Sequence, residues 1–324
     1  MNKSIVAVVV TYNRKSLLME CLQAILEQTY PVSKILLIDN ASTDGTEETL
    51  SENGYLVNPK INYIKMKVNT GGSGGFYEGM KRTMQESCNW VWVMDDDTIP
   101  TKTCLENLLD AEEIVRKKPS DACPDSAVNP SFFASAIYGP DNEFMNLPVI
   151  SKKPSANGYA YWYQFLKDGL VSIQSATFVS ILVNKNAILR CGLPCKDYFI
   201  WGDDTEYTTR LTKYYGDAYM VGNSVAIHKR IGAKELSIFN EENPQRLKMF
   251  HYFFRNASIN RQYYENKNNE IVYLCMLFLK YIKNITNSMN RKRYQIMIKG
   301  TIEGITQYKK FRKYIDSQIS QVEK

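Results

Sequence analysis

Asp95, Asp96 and Asp97 follow directly on the apolar run Trp90-Val-Trp-Val-Met94. Adjacent carboxylates repel, so three at a strand end need a cation or hydrogen-bond donors to neutralise them. Alternate residues on a strand share a face; Asp95 and Asp97 can point together while Asp96 turns elsewhere. A hard divalent cation takes oxygen ligands and bridges diphosphate oxygens. The bland alternative is a solvated acidic turn capping the helix after Thr101. His228, one of two histidines in the chain, closes another apolar run. Alone it would read as packing, but beside carboxylates its imidazole is a candidate ligand for Mn2+-like ions. Trp201-Gly-Asp203-Asp204-Thr-Glu206 opens a helix, where an aspartate is ordinarily a cap or a dipole partner. Such a carboxylate can also be a general base if it reaches an acceptor hydroxyl. By residue type Asp203, Asp204 and Glu206 are all eligible.

Strand and helix patterns alternate to position these groups. Residues 5–10, 35–38, 61–68 and 90–94 read as strands. Residues 16–28, a segment from Thr46, and 71–88 read as helices. The alternation predicts a mainly parallel sheet, whose ligands bind beyond the carboxyl ends of its strands. Thr11 to Arg14, Asp39-Asn40, Asn69 to Gly75 and Asp95 to Asp97 all fall at such ends, which describes one site. Asn69-Thr-Gly-Gly-Ser-Gly-Gly75 would let backbone approach a ligand and turn amides toward an anion. It has neither the dinucleotide-binding spacing nor the Lys-Ser/Thr ending of a phosphate-binding loop. Further on, 118–130 reads as a loop, 132–137 and 171–183 as strands, and 192–194 as a turn. A helix is expected from 202 to about 215, then a strand over 218–227 delivering His228, and a mainly helical pattern from Pro244.

The chain has 324 residues, 44% hydrophobic and 23% charged, enough for a real core. Its net charge of +6 is uneven. Met276 to Lys324 holds eleven Lys/Arg against three Asp/Glu, a local +8, while the remainder carries −2. Such a tail favours anionic surfaces, and no nucleic-acid-binding motif accompanies it. Seven scattered cysteines and no leader-like start predict a reduced, cytosolic compartment. Cys191 and Cys195 lack the second pair that a structural zinc site uses. The apolar run 271–279 is too short to span a bilayer. It suits either a membrane interface or a buried helix, and the buried helix is the favoured reading.

In order and spacing, Thr11-Tyr-Asn-Arg14, Asp39-Asn-Ala-Ser-Thr-Asp44, the glycine loop, the aspartate triplet and Gly-Asp-Asp204 resemble the family 2 glycosyltransferases of GT-A fold over residues 3–230. Asn69-x-Gly-Gly-Ser-Gly-Gly-Phe76 and Trp201-x-Asp-Asp-x-Glu206 most resemble the galactofuranosyltransferase branch. The resemblance implies an α/β GT-A domain over 1–240, with a nucleotide-binding half (1–117) and an acceptor half (118–240), followed by a helical, basic extension (241–324). It implies that Arg14, Asn40 and Asn69 contact the nucleoside diphosphate, with Thr11, Asp39, Gly71, Gly72, Asp95 and Asp96 around the nucleotide sugar. Asp95, Asp97 and His228 would hold Mn2+ or Mg2+, Asp204 would be the base, and Trp201, Asp203 and Glu206 would border sugar or acceptor. The implied activity is metal-dependent, inverting transfer of a sugar to a hydroxyl of a polysaccharide or lipid-linked glycan, at the cytosolic membrane face. UDP-galactofuranose is the expected donor. The alternatives are dTDP-rhamnose, or a non-catalytic nucleotide-sugar-binding scaffold. A nucleotidyltransferase is disfavoured because Thr11-Tyr-Asn-Arg14 stands where its Lys/Arg-rich loop would be. The first strand begins at once, without the β-rich domain of polymerising relatives, which favours addition of one or a few sugars.

Overall fold

A computed structural model describes residues 3–117, 129–155, 157–230, 236–265 and 267–320. Most of the loop expected at 118–130, and Cys123 with it, lies outside the described residues. The strands are β1 (Ile5–Thr11), β2 (Lys34–Asp39), β3 (Ile61–Lys65), β4 (Trp90–Asp95), β5 (Thr98–Pro100), β6 (Phe132–Tyr138), β7 (Val149–Ile150), β8 (Leu170–Ser175), β9 (Ile181–Asn184) and β10 (Ala218–His228). The helices are α1 (Lys15–Leu26), α2 (Thr46–Glu52), α3 (Gly71–Thr83), α4 (Cys104–Lys117), α5 (Lys185–Cys191), α6 (Asp203–Tyr214), α7 (Pro244–Tyr264), α8 (Lys267–Lys283) and α9 (Ser288–Ser320).

All ten strands join one sheet in the order β3-β2-β1-β4-β9-β6-β10-β8-β7, with β5 paired to β10. The first four strands are parallel, as the alternating pattern predicts. β9 enters antiparallel between β4 and β6, and β6 pairs parallel with β10. Every residue of β1 is buried, because helices cover both faces of the sheet. Leu18, Leu22 and Ile25 of α1 and Leu105 and Leu108 of α4 pack on one face. Phe76 and Met80 of α3 and Tyr207 and Leu211 of α6 pack on the other.

The sequence reading needs two corrections here. The single strand expected at 171–183 is two, β8 and β9, separated by 176–180 and paired at different places in the sheet. Thr208 of α6 accepts the Ala176 amide and donates to the Ala176 carbonyl, turning the chain out of β8. Helix α5 precedes the turn at Gly192 and was not expected; Asn184 caps it by accepting the Asn186 amide.

One irregularity places the site. The register of β10 slips between Val221 and Val225, so its first half pairs with β8 and its second half with β5. The second half brings His228 opposite Thr98, and the Lys229 amide donates to the Asp97 carbonyl at 2.8 Å. Beyond β10, α7 lies along α9, and both close on the segment between α5 and α6. Among the described residues no helix is long and apolar enough to cross a membrane.

Candidate functional site

The three aspartates at the end of β4 meet different fates. Asp96 is buried and held inward: Oδ2 accepts the Thr11 hydroxyl at 2.6 Å, and Oδ1 faces Arg14 Nη1 at 3.2 Å. Burial pushes its carboxyl up to about 6, with Arg14 opposing. Asp97 pairs with Arg14 through Oδ2, and its Oδ1 lies 3.1 Å from His228 Nε2. Burial would raise Asp97, but His228 and Arg14 outweigh it and hold the carboxyl below its ordinary range. Asp95 receives no hydrogen bond at its carboxylate among the described residues. Burial, then Asp97 and Asp96, drive it well above the ordinary carboxylate range.

His228 carries the sharpest chemical signal. Nδ1 lies 2.8 Å from Asn146 Oδ1, an acceptor, so it carries a hydrogen there. In the neutral ring Nε2 then presents a lone pair to Asp97 Oδ1, which is buried and accepts no hydrogen bond from a described donor. Two acceptors at that distance require a proton or a cation between them. The donor set, one imidazole and hard carboxylate oxygens, fits Mn2+ or Mg2+. Among the described residues no three His, Cys, Asp or Glu side chains come together as a metal-holding group, so the expected set Asp95, Asp97 and His228 is represented here only by the Asp97–His228 pair with Asp95 nearby. A cation would therefore draw further oxygens from a ligand, as Mg2+ does with phosphates.

Asp39, Asn40 and the glycine loop, expected around the nucleotide sugar, are largely engaged with the protein itself. Asp39 accepts the Ser42 amide at 2.7 Å and the Tyr63 hydroxyl at 2.6 Å. Asn40 donates to Asn69 Oδ1 and the Gly71 carbonyl, and accepts the Thr70 amide and hydroxyl. Both were expected at the ligand; the polar atoms of Asn40 fix the start of the glycine loop, and those of Asp39 hold the turn after β2 and Tyr63 of β3. The glycines also differ from expectation. A Cβ on Gly71 would sit 1.9 Å from the Phe199 carbonyl oxygen, one on Gly74 2.2 Å from Thr70 Oγ1, and one on Gly75 2.5 Å from Val10 Cγ1. These glycines let protein approach protein, and Gly72 alone of the loop's four has open space in front of it. A crevice of about 300 Å3, lined by residues 13–17 and Asp44, opens beside Arg14.

The loop between α5 and α6 is strained. Phe199 (φ 67°, ψ −62°) is the centre of a γ-turn closed by Ile200 N–H to the Tyr198 carbonyl at 2.8 Å. Trp201 and Gly202 are also left-handed, at φ 59° and 87°. The Phe199 carbonyl accepts the Ser73 amide at 3.1 Å, which ties this loop to the first turn of α3. From behind, the fully buried Asn256 of α7 donates to the carbonyls of Tyr198, Ile200 and Trp201. Asn256 was not anticipated. Its signal was a polar pair, Arg255-Asn256, inside an aromatic helix. The Trp201 ring packs on Phe250, 5.0 Å between centroids.

This loop delivers Asp203 and Asp204. Asp203 is buried near Asp95 and is pushed up to about 8 by burial, then by Asp204. Asp204 is less buried; its Oδ1 accepts the Thr205 amide at 2.6 Å, and burial raises it. Glu206, expected beside sugar or acceptor, is not on this surface. It is fully buried, with Arg210 at 2.8 and 3.0 Å and the Tyr264 hydroxyl at 2.8 Å on its oxygens. Asp95 to Asp97, Arg14 and His228 thus form one interacting cluster with Asp203 beside it, Trp201 lies in the loop that leads to Asp203, and the Glu206 side chain is buried away from the cluster.

A parallel first half, an acid cluster at the end of β4 and a mixed second half match the GT-A fold of glycosyltransferases. In structure the chain resembles GalNAc-T7, crystallised with UDP, GalNAc and Mn2+, at a TM-score of 0.54 and 14% identity, covering 82% of this chain and 52% of that one. It also resembles S. aureus TarS, at a TM-score of 0.50 and 13% identity, over 82% and 44%. Residues 6–122 match the model of glycosyl transferase family 2. Galactofuranosyltransferase GlfT1 of Mycolicibacterium smegmatis is 32% identical over 103 residues, 32% of this chain and 33% of that protein. The Mycobacterium tuberculosis protein of the same name is 33% identical over 98 residues, 30% and 31% of the two chains. Poly-beta-1,6-N-acetyl-D-glucosamine synthase of Staphylococcus epidermidis is 30% identical over 88 residues, 27% and 20%. The chain thus spans about a third or less of the length of these relatives.

Proposed function

We propose that this protein transfers a sugar, galactofuranose from UDP-galactofuranose, to a hydroxyl of a polysaccharide or lipid-linked glycan, with inversion. The observation that carries the reading is the Asp97–His228 pair, whose Oδ1 and Nε2 face each other 3.1 Å apart and need a proton or a cation between them, beside Asp95, whose carboxylate has no hydrogen bond among the described residues. Asp95, Asp97 and His228 would hold Mn2+ or Mg2+, which neutralises charge on a departing diphosphate when bound. Arg14 adds a fixed positive charge next to the same carboxylates. Asp204, the more open of the α6 acid pair, takes the acceptor proton. The acceptor oxygen then bonds the anomeric carbon as the bond to the diphosphate oxygen breaks, and no second nucleophilic carboxylate is needed. Burial-raised basicity suits that role. Asp203 and Trp201 border the sugar, and the basic extension keeps the enzyme at the cytosolic face of an anionic membrane.

Asp204→Asn is the direct test. With UDP-galactofuranose, Mn2+ and a soluble acceptor, transfer should fall by at least about a thousandfold while UDP affinity stays within about twofold. Full activity in Asp204→Asn would move the base elsewhere. A donor panel with UDP-galactopyranose and dTDP-rhamnose fixes the sugar, and binding without turnover of any donor would leave a scaffold.

A further inference from the structure

The inner side of α8 is an ordinary core face. Leu277 is buried, and Arg261 of α7 grips the buried Glu270 at 2.7 and 2.8 Å. The outer side breaks the rule for a soluble helix. Ile271, Val272, Met276, Phe278, Leu279 and Ile282 are 44–64% exposed. At 100° per residue these six, with exposed Cys275 among them, cover an arc of about 160° facing away from Leu277. Ile285 and Met289 extend the exposed apolar surface beyond the helix. The sequence reading favoured burial of this run; one face is buried and the other is bare. A helix apolar on both sides needs a second apolar medium.

Charge decides what that medium is. From Ile271 to Ile302 there is no acidic residue, and Lys280, Lys283, Arg291, Lys292, Arg293 and Lys299 all fall there. Lys280, Lys283, Arg291 and Lys292 are exposed beside the apolar face. A second copy seated isologously would bring two such cationic segments together with no carboxylate to pair them. An anionic bilayer supplies hydrocarbon for the face and phosphates for its flank, where lysine and arginine stems snorkel. A crevice of about 350 Å3 between α8 and α9, lined by Phe278, Tyr281, Ile298 and Ile302 with Lys299, continues the surface.

We infer that α8 lies in the plane of an anionic bilayer, its outer face at the boundary of headgroups and acyl chains and Lys280, Lys283, Arg291 and Lys292 on lipid phosphates. This deepens the membrane contact proposed above, moving its centre from the basic tail to α8, and does not depend on the donor or the base.

The test is co-sedimentation of the full chain with vesicles of phosphatidylcholine alone and of phosphatidylcholine with phosphatidylglycerol at about 7:3. Binding should favour the mixed vesicles and weaken with salt. Leu279→Glu/Ile282→Glu should cut it at least about tenfold, and Lys280→Gln/Lys283→Gln should reduce it to the level seen with neutral vesicles. Turnover of a soluble acceptor should be unchanged in both variants, which separates this inference from the transferase reading. A polarity-sensitive dye on Cys275, with Cys88 and Cys123 replaced by serine, should shift to the blue on adding mixed vesicles, without relying on the apolar variants. No binding by the unmodified chain, no dye shift, unchanged binding in Leu279→Glu/Ile282→Glu, or a concentration-dependent dimer dispersed by that variant would each overturn the inference.

Discussion

Replacing Asn256 with alanine removes a buried amide that reaches three loop carbonyls, at 3.0 Å (Tyr198), 3.1 Å (Ile200) and 2.7 Å (Trp201). The amide has two hydrogens shared over the three carbonyls, so at about 1 kcal/mol net per bond about 2 kcal/mol is withdrawn. Against it stands the strain of two non-glycine residues at positive φ, Phe199 and Trp201, about 1 kcal/mol apiece or somewhat more. The bonds and the strain are nearly matched, so losing the bonds should release the loop rather than unfold the sheet. A local loss of about 2 kcal/mol lowers the population of the acid loop's native geometry by up to about thirtyfold. Turnover with a soluble acceptor should fall by a factor in that range, while UDP binding measured by calorimetry should hold, since the donor half is untouched. Asn260→Ala removes one contact to a loop carbonyl, Gly202 at 2.9 Å, and the acceptor of the buried Tyr198 hydroxyl at 2.7 Å, so it should also lower turnover. If Asn256→Ala folds and keeps turnover within about threefold of the parent, the loop does not depend on α7 and the reasoning fails.

Two further outcomes follow from the same geometry. Gly71→Ala should destabilise by about 2 kcal/mol or more in urea unfolding, because φ is +73° and the new methyl would meet the Phe199 carbonyl, whereas Gly72→Ala should cost less than about 1 kcal/mol; equal costs would refute the packing account. In pH, the acid cluster sets the sign. Asp95, Asp96, Asp203 and Asp204 are raised in the fold above an unfolded value of about 3.9, so the native state binds more protons from that pH up to the folded values, about 6 for Asp96 and about 8 for Asp203. Metal-free protein should therefore melt lower at pH 8 than at pH 6, with a smaller difference in Asp203→Asn. Asp97 is lowered instead; its contribution is present above about pH 4 and lost at more acid pH, outside that window. Mn2+ with UDP should raise the melting temperature more at pH 8 than at pH 6. A flat melting profile between the two would deny the cluster its strain.

The donor half was legible because its information is local. Each strand is an apolar run closed by a polar cluster within a few residues, so Thr11, Asn40 and Asp95 to Asp97 could be set at one sheet edge without coordinates. What those residues touch was not legible. A glycine that admits a ligand and one that admits Val10 or a carbonyl look alike in sequence, and only the Phe199 γ-turn shows which Gly71 is. Glu206 did carry a readable sign, since Arg210 stands four residues on along the same helix, the spacing at which opposite charges pair. The split between β8 and β9 left little trace, because the intervening 176–180 is as apolar as the strands it separates.

The segment between α5 and α6 is held from two directions, and neither holder lies in it. The Ser73 amide meets the Phe199 carbonyl from the donor half, and Asn256 meets its neighbours from α7. A loop with two left-handed non-glycine residues cannot store that strain alone, so its geometry must be enforced by packed elements around it. Arg255 adds bonds to the Asp197 and Tyr198 carbonyls at 2.9 and 3.0 Å, and Tyr314 of α9 reaches the carbonyls of Leu193 and Pro194. The helical extension is therefore the rear wall of the acid loop rather than an appendage. Its α8 stands next to that wall in the chain and bares an apolar face. α7 and α9 thus hold the loop that leads into the acid pair, while α8 packs on both of them and leaves its outer apolar face free for the bilayer contact inferred above.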